Sequence, residues 1–194
     1  MKTIVQGRII KKYNISLEEI DEFNKEYEIR KTKLSDEGAG LAGRLQSELK
    51  VIDFLPNLKI FQTFQNCIND YMITLNHFDQ LDKPEMKTKI ISCWINDMVE
   101  NEYNPLHKHN GPYNVGWSCV LFLKVPEFVN DVKHPHKFKD GELCFVSNEG
   151  RTSAFKPVVG DFYLFDAGHP HLVNPFKTKV KGAIRRSMSF NLIP

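Results

Sequence analysis

What this 194-residue chain lacks removes several classes of protein first. No run of about 18 apolar residues occurs, so the sequence predicts no membrane-spanning helix and no membrane partner. The opening Met1-Lys2-Thr3-Ile4-Val5-Gln6 has none of the apolar stretch of a secretory signal. Only four cysteines are present, Cys67, Cys93, Cys119 and Cys144, and no two form a Cys-x-x-Cys pair. A zinc ribbon or thioredoxin-type motif is therefore not expected. Buried free thiols in a reducing cytoplasm are expected instead. An excess of one charge sign is also missing. Lys and Arg total 26 against 24 Asp and Glu, a net charge of +2, which carries no strong signal for nucleic-acid binding. There is no internal repeat and no low-complexity tract.

What is present reads as a globular chain. Hydrophobic residues make up 41% and charged residues 26%, and the length suits one domain over residues 1–194 with a proper core. The pattern divides it into a helical part, residues 1–84, and a strand-rich part, residues 85–194. Ile4, Val5, Ile9 and Ile10 suggest an opening strand. Ser16-Leu17-Glu18-Glu19 is a capping box, so a helix from about Leu17 to Arg30 follows. From Pro56, the residues Leu58, Phe61, Phe64, Ile68, Tyr71, Met72 and Leu75 recur at spacings of three and four, the mark of an amphipathic helix packed on a core.

After Pro84 the period changes. Ile90–Ile95, Val115–Val125, Glu142–Val146, Asp161–Phe165 and Ala183–Leu192 read as short strands separated by Gly, Pro and Asn. That density predicts an α+β, mainly β architecture: a jelly roll with the N-terminal helices packed on its outside.

Seven histidines are present, and six fall into three His-x-His pairs: His107/His109, His134/His136 and His169/His171. On a strand, residues i and i+2 share a face, so such a pair can chelate one metal. A third ligand from a distant strand closes three sides of an octahedron and leaves the others open, as an iron oxygenase requires. His107 and His109 stand directly before the most apolar strand. His134 and His136 lie in the Lys-rich Pro126–Asp140 loop, which reads as solvated, or as a lid. Pro170 between His169 and His171 suggests that one of the two points inward.

The order of motifs resembles the Fe(II)/2-oxoglutarate-dependent oxygenases, and more closely the members found in bacteria and tailed phages. The resemblance rests on His107-Lys108-His109, then Trp117-Ser118-Cys119-Val120-Leu121-Phe122-Leu123, then Gly160-Asp161-Phe162-Tyr163-Leu164-Phe165. It continues through His171-Leu172-Val173-Asn174-Pro175-Phe176 to Arg185-Arg186-Ser187-Met188-Ser189-Phe190-Asn191. It covers roughly Trp94 to Asn191, and Leu41-Ala42-Gly43 adds a weaker echo. The resemblance implies a double-stranded β-helix (cupin-like) holding Fe(II), with His107, His109 and His171 as metal ligands. It selects His171 over His169, and Arg185 over Arg186 as the anchor for the far carboxylate of 2-oxoglutarate. Strand alternation agrees with the second choice, because Arg185, Ser187 and Ser189 share one face. Ser187, Asn96 and Tyr163 are further expected contacts to the co-substrate. The implied reaction uses O2 and 2-oxoglutarate, releases succinate and carbon dioxide, and hydroxylates a primary substrate that the sequence does not name.

One departure stands out. The second ligand position of that family commonly holds Asp or Glu, and here it is His109. Three neutral imidazoles leave a metal one charge more positive than the usual facial triad. Three-histidine iron sites occur in cupin-type thiol dioxygenases. Two alternatives therefore stand beside the first reading. One is a three-histidine dioxygenase that uses no 2-oxoglutarate. The other is a non-catalytic jelly-roll module, such as a virion component or adaptor.

Overall fold

The computed structural model describes residues 2–5, 8–79, 87–109, 116–129 and 140–194. Eleven strands and two α-helices are seen among them. The strands are β1 (Lys2–Val5), β2 (Ile9–Asn14), β3 (Glu48–Lys50), β4 (Lys89–Met98), β5 (Asn104–His107) and β6 (Trp117–Lys124). They continue with β7 (Leu143–Val146), β8 (Thr152–Phe155), β9 (Asp161–Asp166), β10 (His171–Val173) and β11 (Arg185–Ile193). The helices are α1 (Leu17–Arg30) and α2 (Lys59–Asp79).

Two antiparallel sheets face each other. The larger has the order β1-β2-β9-β6-β11-β4-β3, and the smaller β5-β10-β7-β8. This is the double-stranded β-helix anticipated from the sequence. Each central strand alternates between two environments. Val120, Phe122, Tyr163 and Phe165 of the larger sheet meet Leu143, Phe145 and Val173 of the smaller one. Cys119, Leu121, Phe162, Leu164, Met188 and Phe190 face the other way, onto the helices.

The helices cover that outer face for reasons visible in their sequences. In α1 the Ser16 hydroxyl accepts from the Glu19 N–H at 3.3 Å and donates to the Glu19 carboxylate at 2.6 Å, closing the capping box. Ile20, Phe23 and Tyr27 form its buried stripe. In α2 the stripe is Ile60, Phe64, Ile68, Tyr71 and Met72. Burying such side chains contributes about 1.5–3 kcal/mol each. Helix α2 begins later than the periodicity suggests. Leu55–Asn57 forms a separate 3-10 turn with Pro56 inside it, because proline suits a first turn but cannot donate within one.

The first 84 residues were expected to be helical, and they also supply strands. The opening strand is a β1–β2 hairpin at one edge of the larger sheet, and β3 is the other edge. Lys11 and Lys12 disguise β2, since two adjacent lysines break an apolar alternation. Both are held: Lys11 is buried and pairs with Asp70 at 2.6 Å, and Lys12 pairs with Asp161 at 2.6 Å. All four cysteines are free thiols, with Cys93, Cys119 and Cys144 buried. Among the described residues no helix is long and apolar enough to cross a membrane. Residues 130–139, including His134 and His136, and Val115 at the expected start of β6, lie outside the described residues.

Candidate metal centre

Strand pairing in the smaller sheet builds the site. In β5 and β10 His107 and His171 are direct cross-strand neighbours. His109 follows β5, and its backbone N–H donates to the Ala167 carbonyl at 2.9 Å, which ties it to the end of β9. The three rings converge, with centroids 4.3 Å apart for His107–His171, 5.2 Å for His107–His109 and 5.0 Å for His109–His171. One ring nitrogen from each lies within 4.8 Å of the others.

Their orientation suits ligation. His107 Nδ1 is 2.7 Å from the Pro105 carbonyl, and His171 Nδ1 is 2.9 Å from the His169 carbonyl. A carbonyl only accepts, so both Nδ1 atoms carry the proton and both Nε2 lone pairs are bare. His109 Nε2 and His171 Nε2 stand 3.2 Å apart. A cation about 2.1 Å from two nitrogens at right angles holds them about 3.0 Å apart, so the spacing fits a shared ion. Burial keeps all three imidazoles neutral. It pushes His109 down to about 3, with the neighbouring His107 adding to the effect. It also lowers His107, and His171 well below the ordinary range. Neutral imidazole is the form that ligates.

Among the described residues, no carboxylate joins this cluster. His169 stays outside it. Its ring packs on the edge of Phe145 at 5.2 Å, and neither nitrogen has a hydrogen-bond partner.

A cavity of about 390 Å³ opens beside the histidines, within the range of small-molecule sites. Trp94, Asn96, Ser187 and Ser189 line it together with His107, His109 and His171. Behind Ser187 lies Arg185, which is 0% exposed. Its Nη1 donates to the Ser187 hydroxyl at 3.4 Å and to the Met98 sulfur at 3.2 Å, and its guanidinium lies 4.9 Å from the Phe122 ring centre. Among the described residues, Nε and Nη2 have no partner. Burial pulls its pKa down to about 9, with no acidic group compensating.

The adjacent Arg186 is the opposite case. It points to the helical side, where it bonds Asp97 at 2.6 and 2.8 Å, Glu28 at 2.7 Å and Asn24 at 3.1 Å, and stacks on Tyr27 at 4.3 Å. Two consecutive arginines thus differ in kind: Arg186 is held by acidic and amide partners, and Arg185 is a buried cation with no counter-ion among the described residues. A guanidinium with two free N–H edges fits a carboxylate.

The remaining expected contacts divide. Asn96 lies opposite Ser187 across β4 and β11, lines the cavity, and has a buried Oδ1 without a partner. Tyr163 sits in the core between the sheets, its hydroxyl 3.4 Å from the Asp161 carboxylate, and is not among the residues of the cavity wall. Trp94 and Glu48 were not singled out from the sequence, yet both line the cavity. Trp94 packs 5.8 Å from His109. Its signal was its place on a buried strand two residues before Asn96.

Residues 92–191 match a family model described as "Putative 2OG-Fe(II) oxygenase". No curated protein matches the chain. Among solved structures, a prolyl-4-hydroxylase from Pseudomonas putida is similar at a TM-score of 0.61 and 16% identity, over 95% of this chain and 91% of that one. The viral collagen prolyl hydroxylase from Paramecium Bursaria Chlorella virus-1, in its 2-oxoglutarate complex, reaches 0.60 at 13% identity, over 94% of each chain. HygX from Streptomyces hygroscopicus, with nickel and 2-oxoglutarate bound, reaches 0.58 at 11% identity, over 95% of this chain and 82% of that one. At these identities the likeness is one of fold. The family segment covers more than half of the chain and spans the histidine cluster and Arg185, and the chain belongs to the 2OG-Fe(II) oxygenase family.

Proposed function

We propose that this protein hydroxylates a primary substrate, using Fe(II) held by His107, His109 and His171 and 2-oxoglutarate anchored by Arg185. The observation that carries the proposal is a pairing. Three neutral, converging imidazoles line the cavity, and one uncompensated guanidinium lies behind its wall, bonded to Ser187, which lines it. Bound there, Fe(II) and 2-oxoglutarate supply oxygen activation, with the co-substrate ending as succinate and carbon dioxide.

The protein's own part is positioning and exclusion of water. The Pro105 and His169 carbonyls fix two imidazoles with their Nε2 atoms turned inward. Arg185 would offer the far carboxylate of 2-oxoglutarate its free Nε and Nη2 donors, and the Ser187 hydroxyl would add a third. Asn96 and Tyr163 complete the expected contacts. Asn96 would do so from the wall, whereas Tyr163, whose hydroxyl faces Asp161 and which is absent from the wall, has no observation in its favour. Four unpaired thiols support a reducing cytoplasm, that of a cell or of a phage host. The relatives' printed substrates are of different kinds, so the substrate is read from this chain alone.

The test is anaerobic addition of Fe(II) and then 2-oxoglutarate. A visible charge-transfer band and, in air, succinate formation are expected. No band and no succinate would refute the proposal. The cluster without a carboxylate favours one second reading, a three-histidine dioxygenase in which Arg185 holds the substrate's own carboxylate. Oxygen consumption would then be indifferent to 2-oxoglutarate.

A further inference from the structure

The wall of this cavity carries an uncompensated charge of its own, opposite in sign to that of Arg185 behind it. Glu48 of β3 is 3% exposed and lines the wall. Pairing of β3 with β4 sets it opposite Asn96. A Cβ built on Gly43 would lie 2.9 Å from Glu48 Oε1 and 2.7 Å from Asn104 Oδ1. Those two oxygens therefore meet beside a bare glycine. Asn104 opens β5, the strand that ends in His107.

Among the described residues no cation pairs with this carboxylate. The Glu48 backbone N–H donates to Asp36 Oδ1 at 3.2 Å, which places a second carboxylate nearby. Burial, with Asp36 adding to it, pushes the Glu48 pKa up to about 7. Lys108 is the lysine of the cavity wall among the described residues; it is exposed and makes no ion pair with Glu48. Three amides of the wall can also accept. Asn96, Asn104 and Asn191 line the cavity with side-chain oxygens that are buried and unpartnered. An amide can turn to present donors, but an ionised carboxylate only accepts.

We propose that Glu48 determines specificity by receiving a cationic nitrogen group, a protonated amine, of the primary substrate, with the Trp94 ring as the adjacent wall. This rests on the oxygenase reading, because it takes the space beside the histidines as the place of a primary substrate. The logic parallels that of Arg185. A buried charge is costly without a counter-ion, and a ligand of opposite sign supplies one. An ammonium beside Glu48 finds a carboxylate, further acceptors in Asn96 and Asn104, and an indole face that attracts cations. Trp94 and Asn96 are two apart on β4 and so share a face with the paired Glu48. An anionic substrate would meet like charge at this wall.

The test uses intrinsic fluorescence, because both tryptophans of the chain, Trp94 and Trp117, contribute to the cavity wall. The probes are N-acetyl-lysine methylamide and its norleucine counterpart, which differ by the ammonium group. They are titrated at pH 8 into the full-length protein, with and without Mn(II) and 2-oxoglutarate. The lysine probe is expected to bind at least tenfold more tightly. Glu48→Gln should remove that preference, whereas Glu18→Gln, on the exposed face of α1, should keep it. Equal affinities in the unaltered protein, no binding of either probe, or a preference that survives Glu48→Gln would overturn the proposal. If Glu48→Gln does not fold, the comparison of the two probes on the unaltered protein still decides. The two readings fail separately. Loss of 2-oxoglutarate binding defeats the co-substrate assignment, while the probe comparison without it remains readable.

Discussion

Replacing Arg185 should move stability and co-substrate binding in opposite directions. The Arg185 side chain is fully buried, two of its nitrogens have no partner, and its pKa falls from 12.5 to about 9 through burial alone. That fall corresponds to roughly 5 kcal/mol spent keeping the cation ionised in the protein without ligand. Arg185→Met removes this cost and fills similar volume. It forfeits the contact with Phe122, about 0.5–2 kcal/mol. The ligand-free variant should therefore be more stable by about 3 kcal/mol, a rise in Tm of about 6–12 °C for a chain of this size. Binding should go the other way. A carboxylate buried without its partner costs about 2–5 kcal/mol, so the 2-oxoglutarate Kd should rise roughly 30- to 4,000-fold. Scanning fluorimetry with and without 2-oxoglutarate reads both effects. At a hundred times its Kd the ligand should stabilise the unaltered protein by about 2.7 kcal/mol, and the variant hardly at all at the same concentration. A ligand-free variant less stable than the parent, with unchanged 2-oxoglutarate affinity, would refute the reasoning.

Three further outcomes are expected. The metal-free protein should lose stability as pH falls below about 6.5. His109 and His171 are held neutral when folded and take up protons only when unfolded, so at pH 5.5 each costs roughly 1.4 kcal/mol. Urea melts at pH 7.5 and 5.5 check this, and a midpoint independent of pH would contradict it. His109→Asp lowers the charge of the metal site by one and hardens the ligand set, so competition measured by metal analysis should shift from Zn(II) toward Fe(II). An unchanged metal ratio would show that His109 does not ligate. Gly43→Ala places a Cβ 2.7 Å from Asn104 Oδ1, 2.9 Å from Glu48 Oε1 and 2.9 Å from Leu45 Cγ. Overpacking of that kind costs about 1–3 kcal/mol; a melting temperature equal to the parent's would mean that the turn yields freely.

Elements with strong local periodicity were legible in the sequence. The stripes of α1 and α2 and the apolar run of β6 declare themselves within one or two turns or a few strand residues. β3, β5, β8 and β10 did not, because strands of three or four residues carry no period of their own and these lack the continuous apolar run that marked β7. Their identity comes from partners far along the chain, as when β10 is fixed between β5 and β7. β2 was half hidden by Lys11 and Lys12, whose partners Asp70 and Asp161 become neighbours through the fold. The site shows the same contrast. His107, His109, His171 and Arg185 were singled out by motif order and strand alternation. Glu48 could not be found that way, since it lies on a three-residue edge strand in a polar stretch. Its meaning arises from pairing with β4 and from the missing side chain at Gly43.

The most direct measurement is an anomalous difference map at the iron edge, from crystals grown anaerobically with Fe(II) and 2-oxoglutarate. The account predicts a single strong peak between the Nε2 atoms of His107, His109 and His171, with the far carboxylate of 2-oxoglutarate on Arg185. An iron peak away from these histidines, or a 2-oxoglutarate that leaves Arg185 unpaired, would contradict it.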